Sequence, residues 1–200
     1  MEIIDYYDEH ERLIGSIKKD KAHQLGLWHK VFGCLFINSK KNTVYMQYKN
    51  NKHNDLSNLN KVDISVGGHL KSKETIKDGV REIKEESSLN IKYEQLEFIK
   101  KRIVNVKINA NYIIREFCYM YLLNQEFNLE ELKSIDDEVL YFIEFDIDEL
   151  INFLTSDEQT IIGNTINGKQ EFKKENFIKA YIEEDHYYLQ YLNYAKKMIK

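Results

Sequence analysis

Apolar and polar positions fall into short, well-punctuated runs along most of this chain. Residues 3–7 and 13–17 flank the polar turn Asp8-Glu9-His10-Glu11 and predict a hairpin. The polar stretch KKDKAHQLGLWHK follows. Residues 31–37, VFGCLFI, are then so continuously apolar that they predict a strand buried on both faces. After the turn at 38–42 a second strand covers 43–48, and an Asn-rich loop, KNNKHNDLSNLNK, separates it from a short strand at 62–66 that ends at Gly67-Gly68. From 75 to 87 the period changes. Ile76, Val80 and Ile83 recur at intervals of four and three, the single apolar stripe of a helix. Strand patterns return at 96–108, 113–123 and 139–145, before a short helix at 148–154 with an acidic start. Over 176–199, Phe177, Ile178, Tyr181, Ile182, Tyr188, Leu189, Leu192 and Met198 keep helical spacing. Strands around one central helix, with helices at the end, predict an α/β (α+β) sandwich without internal repeats.

Composition narrows the class. A chain of 200 residues with 42% apolar and 31% charged positions has enough material for one folded core. Lys+Arg 29 against Asp+Glu 33 leaves a net charge of −4, so no global basic footprint marks a nucleic-acid or membrane-surface partner. The segment MEIIDYYDEHER carries acids where a secretory leader has cations, and no window holds the roughly twenty apolar residues of a membrane span. A cytoplasmic location is expected, with Cys34 and Cys118, each in an apolar strand-like run, as buried free thiols. There is no proline.

The candidate chemistry lies in GGHLKSKETIKDGVREIKEESSL, residues 67–89. On a helix Glu82 and Glu86 stack at i and i+4 with Glu85 beside them, away from the apolar stripe. Like charges so placed repel by a few tenths of a kcal/mol per pair. A divalent cation offsets that repulsion, and Mg²⁺ favours carboxylate oxygens while bridging to phosphates. Gly67-Gly68 permits close backbone approach to a ligand.

This segment resembles the Nudix box, a pattern of Gly, five residues, Glu, seven residues, Arg-Glu, an apolar residue, any residue, Glu-Glu, any residue, Gly and an apolar residue. Gly68, Glu74, Arg81, Glu82, Ile83, Glu85, Glu86 and Leu89 take its places in order. The resemblance implies a Nudix-type mixed β-sheet sandwiched between helices. It also implies a metal-dependent hydrolase, using Mg²⁺ or Mn²⁺, that cleaves the diphosphate linkage of a small nucleoside diphosphate-X type substrate. In that reading Glu85 and Glu86 are metal ligands, Glu82 is a ligand or general base, and Arg81 orients the acids. Lys71 and Lys73 would reach phosphate from the loop after the glycines. Two positions depart from the pattern. Only six residues separate Glu74 from Arg81, which implies a distorted Glu74–Arg81 contact, and Ser88 stands where the helix-ending glycine belongs. Family members also often carry proline beside the strand-end glycines, which this chain lacks.

AHQLGLWHKVFGCLFIN and SVGGHL extend the likeness to the subgroup related to type I isopentenyl-diphosphate isomerase. That likeness implies a second metal site at His23, His29, His69 and Glu116, lacking one acid because Ile114 occupies its place. Gly67 replaces the isomerase's catalytic cysteine, whereas Glu82 and Glu85, absent from the isomerase helix, are present. The balance favours a hydrolase, with an isomerase-like enzyme or a non-catalytic nucleotide-binding module as alternatives. The resemblance covers residues 1–154. The remainder, 155–200, is expected as a helical extension packed on the same domain, with a homodimer contact as another use for its tyrosines. Substrate recognition is expected from loop 49–61 and the strand aromatics, and His10, His53 and His186 from their surroundings read as surface residues.

Overall fold

The computed structural model describes residues 2–50, 60–135, 137–183 and 186–199, so most of the predicted recognition loop at 49–61, His53 included, lies outside the described residues. The chain begins with the expected antiparallel hairpin, β1 (Ile3–Tyr7) and β2 (Leu13–Lys18). A short helix, α1 (Lys19–Leu25), occupies part of the stretch read as merely polar, and ends on Gly26 in the left-handed region at φ 62°. Then come β3 (Trp28–Asn38) and β4 (Thr43–Lys49), and the predicted strand at 62–66 divides into β5 (Val62–Asp63) and β6 (Val66–His69). A 3₁₀ turn (Ile76–Val80) leads into α2 (Arg81–Ser87), so the single helix expected over 75–87 has two parts. The long strands β7 (Glu97–Asn109) and β8 (Tyr112–Asn124) precede β9 (Val139–Asp146) and α3 (Ile147–Thr155), whose first turn is capped by the Asp146 carboxylate accepting from the Asp148 and Glu149 N–H groups.

β3 is the organising strand. It pairs antiparallel with β1, β4 and β6, and parallel with β8 over nine register positions from His29↔Glu116 to Ile37↔Asn124. Its apolar residues alternate between two cores, as a strand covered on both faces must. Phe32, Cys34 and Phe36 join Ile83 of α2 on one face, and Leu35 and Ile37 join the α3 side on the other. The result is the expected mixed sheet between helical layers. Cys34 and Cys118 are buried free thiols. Among the described residues, no helix is long and apolar enough to cross a membrane.

The C-terminal part is only partly helical. Residues 160–173 form a hairpin, β10 (Thr160–Thr165) and β11 (Gly168–Lys173), which extends the sheet beyond β9. Its signal was Asn167-Gly168, with Gly168 at φ 97°, a turn that suits the twist of paired strands. Gly163 and the threonines hid the alternation. Helices α4 (Lys179–Glu183) and α5 (Tyr187–Ile199) then return over the sheet, placing Phe177, Tyr188, Tyr191 and Leu192 in the same core as Leu35, Met46 and Phe145. Tyr188 joins two segments. Its hydroxyl donates to the Val62 carbonyl at 2.7 Å and accepts from the Ile178 N–H at 3.2 Å. Replacing it with Phe strands two buried backbone groups, so Tyr188→Phe is expected to cost about 1–3 kcal/mol, read as a lower urea midpoint at unchanged m-value.

Candidate active site

The acidic helix starts from a compact turn. Thr75 and Asp78 close it through a 2.7 Å bond from the Thr75 N–H to the Asp78 carboxylate. A 3₁₀ turn rises about 2.0 Å per residue against 1.5 Å for an α-helix. The tighter winding therefore spans nearly the same distance with one residue fewer. Gly79 lets the turn lie on β3, since a Cβ there would sit 2.7 Å from Phe32 Cβ. The shortened spacing consequently leaves the Glu74–Arg81 contact undistorted: Arg81 Nε and Nη2 donate to the two Glu74 oxygens at 2.9 and 3.0 Å. Ser88 takes the left-handed conformation, φ 62°, without glycine, and its hydroxyl donates to the Lys133 carbonyl.

Arg81 also reaches three other groups. Nη1 donates to Glu85 at 2.5 Å, Nη2 lies 2.9 Å from Glu82, and Nη2 donates to the His69 carbonyl at 3.3 Å. Glu82 sits directly over Gly68, where a Cβ would fall 2.1 Å from the Glu82 carboxyl carbon, so any side chain there would displace that carboxylate. Glu86 Oε2 accepts from the Gly67 N–H at 2.9 Å, and its Oε1 is buried with no hydrogen-bond partner among the described residues. Lys71 Nζ lies 3.3 Å from Glu85 on the cavity side. Lys73 is placed differently. Its backbone is left-handed at φ 71°, its N–H donates to Asp5, and it is not among the residues lining the cavity.

The loop after the glycines is fastened to the first hairpin. The nearly buried Asp5 carboxylate accepts from Ser16 Oγ at 2.6 Å and from the Lys73 N–H at 2.9 Å, while the Ser72 N–H donates to the Ile3 carbonyl at 2.8 Å. Nothing in the sequence pattern marked Asp5, because its partners are remote in the chain.

The histidines expected at the second site converge. His23 comes from the end of α1, His29 from the start of β3, His69 from the end of β6 and Glu116 from β8. One ligand atom from each lies within 4.8 Å of the others. His23 Nε2 is 3.3 Å from His69 Nε2, and Glu116 Oε1 is 3.5 Å from His29 Nε2 and 3.8 Å from His69 Nε2. His29 Nδ1 lies 2.8 Å from the Leu27 carbonyl, which only accepts, so Nδ1 carries a hydrogen and Nε2 faces the cluster. Tyr112 stacks on His23 with ring centroids 4.7 Å apart, a contact the sequence did not signal. His10 and His186 are exposed, as expected.

Both groups contribute to one cavity of about 820 Å³, lined by Arg81, Glu82 and Glu85 and by His23, His69 and Glu116. Burial sets its electrostatics. Desolvation, reinforced by the Glu85 charge and opposed by Arg81, raises Glu82 from the usual 4.5 to about 7. Desolvation also pushes Glu86 well above the ordinary range, with Lys49 and the Gly67 N–H opposing and Glu82 adding. Burial holds His69 well below 6.5, helped by the neighbouring His29. Glu116 and Glu74 show the opposite balance. Burial favours their neutral forms, but His29 beside Glu116 and Arg81 beside Glu74 outweigh it and lower both.

A carboxyl group raised on folding holds its proton more tightly in the native state. Its contribution is therefore complete below about 4.5 and is lost as pH rises through about 7. Metal-free protein is expected to lose stability across that window in thermal melts. Glu82→Gln should flatten the loss, and added Mg²⁺ should restore stability above pH 7 by favouring the ionised acids.

No protein-family model matches the chain. It is 32% identical over 186 residues to an uncharacterized Nudix hydrolase of Clostridium acetobutylicum, covering 92% of this chain and 89% of that protein. Among solved structures, the Deinococcus radiodurans protein DR0079 superimposes with a TM-score of 0.57 at 18% identity, over 78% of this chain and 91% of that one, a likeness of fold. The sequence relationship, spanning nearly the whole of both chains, establishes that this chain belongs to the Nudix hydrolases, a family of pyrophosphohydrolase enzymes.

Proposed function

We propose that this enzyme is a metal-dependent pyrophosphohydrolase acting on a small nucleoside diphosphate-X type substrate, with the diphosphate held at the Gly67-Gly68 end of the cavity. The observation that carries the reading is Glu86, a fully buried carboxylate with one oxygen on a backbone N–H and the other without a hydrogen-bond partner among the described residues. A buried carboxylate so placed costs several kcal/mol unless a cation or a proton joins it. Glu82, Glu85 and Glu86 offer the hard oxygen donors that suit Mg²⁺ or Mn²⁺. Such a cation supplies charge neutralisation to a diphosphate and acidifies water for attack on phosphorus.

The chain's own groups divide the remaining work. Glu82, packed over Gly68, accepts the proton of the attacking water. Arg81 has its donors engaged by Glu74, Glu82, Glu85 and the His69 carbonyl, so it fixes the acids in place and leaves phosphate to others. Lys71, half-exposed at the cavity wall, is the cation that reaches phosphate oxygens. His23, His29, His69 and Glu116 form a second donor set. Three imidazoles with one carboxylate suit Mn²⁺ or another transition ion better than Mg²⁺.

Assays with nucleoside diphosphate sugars, dinucleoside polyphosphates and nucleoside triphosphates, scoring phosphate and pyrophosphate separately, test the reading. Glu82→Gln is expected to lower kcat by about 10²–10⁴-fold. Glu86→Gln should raise the Mg²⁺ concentration for half-maximal rate by at least about 10-fold. Full metal-dependent turnover in both variants would overturn the assignment. The second set is tested separately by Co²⁺ titration. Visible ligand-field bands should saturate in the wild type and vanish in His29→Gln, and identical spectra would remove the histidine site.

A further inference from the structure

The cavity that holds the acids and the histidines is also lined by residues from outside the part of the chain that carries the family pattern. Tyr181 of α4 and Tyr187 of α5 line it together with Ile64, Met120 and Arg102. We propose that this wall is the subsite for a planar ring of the substrate's organic moiety, such as a nucleobase, so that the C-terminal extension selects what the diphosphate is attached to. The proposal rests on the hydrolase reading for the position of the diphosphate and adds the recognition of the other half of the molecule.

Three observations support it. The first is chemistry. The acids of the cavity suit a cation-bound diphosphate, whereas the rest of its lining offers two aromatic rings, a thioether and an isoleucine, surfaces that hold flat rings by dispersion and edge contacts. The second is preorganisation. The Tyr187 hydroxyl donates to Met120 Sδ at 3.4 Å, the two tyrosine centroids are 4.5 Å apart, and the Arg102 guanidinium lies 4.1 Å from the Tyr187 centroid and 5.1 Å from that of Tyr181. Tyr187 is almost wholly buried and backs the wall, while Tyr181 is only partly buried and lines the cavity. The third is size. A cavity of about 820 Å³ falls within the roughly 300–1,000 Å³ of sites that enclose whole drug-sized ligands, far more than a diphosphate needs. Arg102 and Asp63 also line the cavity, so the ring's polar edge finds a donor and an acceptor there.

The test pairs kinetics with a direct contact measurement. For a ring-bearing nucleoside diphosphate ester, Tyr181→Ala should raise KM by roughly 10-fold, the scale of a lost base–aromatic contact, with kcat changed by less than about threefold. Tyr181→Phe should keep the wild-type KM. An open-chain alkyl diphosphate ester should show no Tyr181 dependence. Tyr194→Phe, on the outer side where its hydroxyl meets Glu97, should change neither. Nuclear Overhauser contacts from the ring protons of a methylene-bridged nucleoside diphosphate, with Mg²⁺ present, should reach the Tyr181 ring. Equal KM losses for both ester types, an unchanged KM for the ring-bearing ester, or no contact to Tyr181 would each overturn the subsite. If Tyr181→Ala fails to fold, Tyr181→Leu and the wild-type contact measurement decide. Should the methylene-bridged compound bind in contact with Tyr181 while no diphosphate is hydrolysed, the subsite stands and the hydrolase reading falls.

Discussion

One guanidinium holds this site together. Arg81 meets Glu74, Glu82 and Glu85 and the carbonyl of His69, so a single side chain joins the loop, the helix and the strand end. Without it three carboxylates would face one another across a partly desolvated space, and like charges there repel far more than on a wet surface. The burial that makes Arg81 necessary also leaves Glu82 titrating near neutrality. Structural support and chemical poise thus have one physical origin.

The register of β3 is the second constraint. Pairing His29 with Glu116 and Val31 with His69 brings donors from β3, β6 and β8 to one face, and α1 adds His23 from above. A slip of one residue on any of these strands turns its ligand to the opposite core. The continuous apolar run of β3 makes such a slip costly, because both of its faces are buried. The same face continues along β8 through Cys118 and Met120, and so connects the histidine group with the tyrosines of the extension.

Much of this was legible in the sequence where the signals are local. The acidic helix follows from spacing within a few residues, and the apolar strands from continuous runs. The Glu74–Arg81 contact defeated simple counting because a 3₁₀ turn and an α-turn cover different distances with the same residues. Helix α1 carries few apolar residues and was invisible to periodicity. The β10–β11 hairpin was announced only by Asn167-Gly168. The histidines are a different case. Their meeting depends on parallel pairing between positions more than eighty residues apart, which no short window records, so only a family likeness joined them. Asp5 had neither kind of signal.

Asp5 bears on a chain without proline. Elsewhere a pyrrolidine ring can stiffen a loop through its own covalent geometry, already present in the unfolded chain. Here the order of residues 71–73 comes from Ile3, Asp5 and Ser16, sixty or so positions earlier. The loop's stiffness is therefore a tertiary property, gained when the hairpin docks and lost when it lifts. In folding terms the Lys71 side of the cavity takes shape after a long-range closure, and in native-state terms its motion is set by the hairpin's own opening equilibrium.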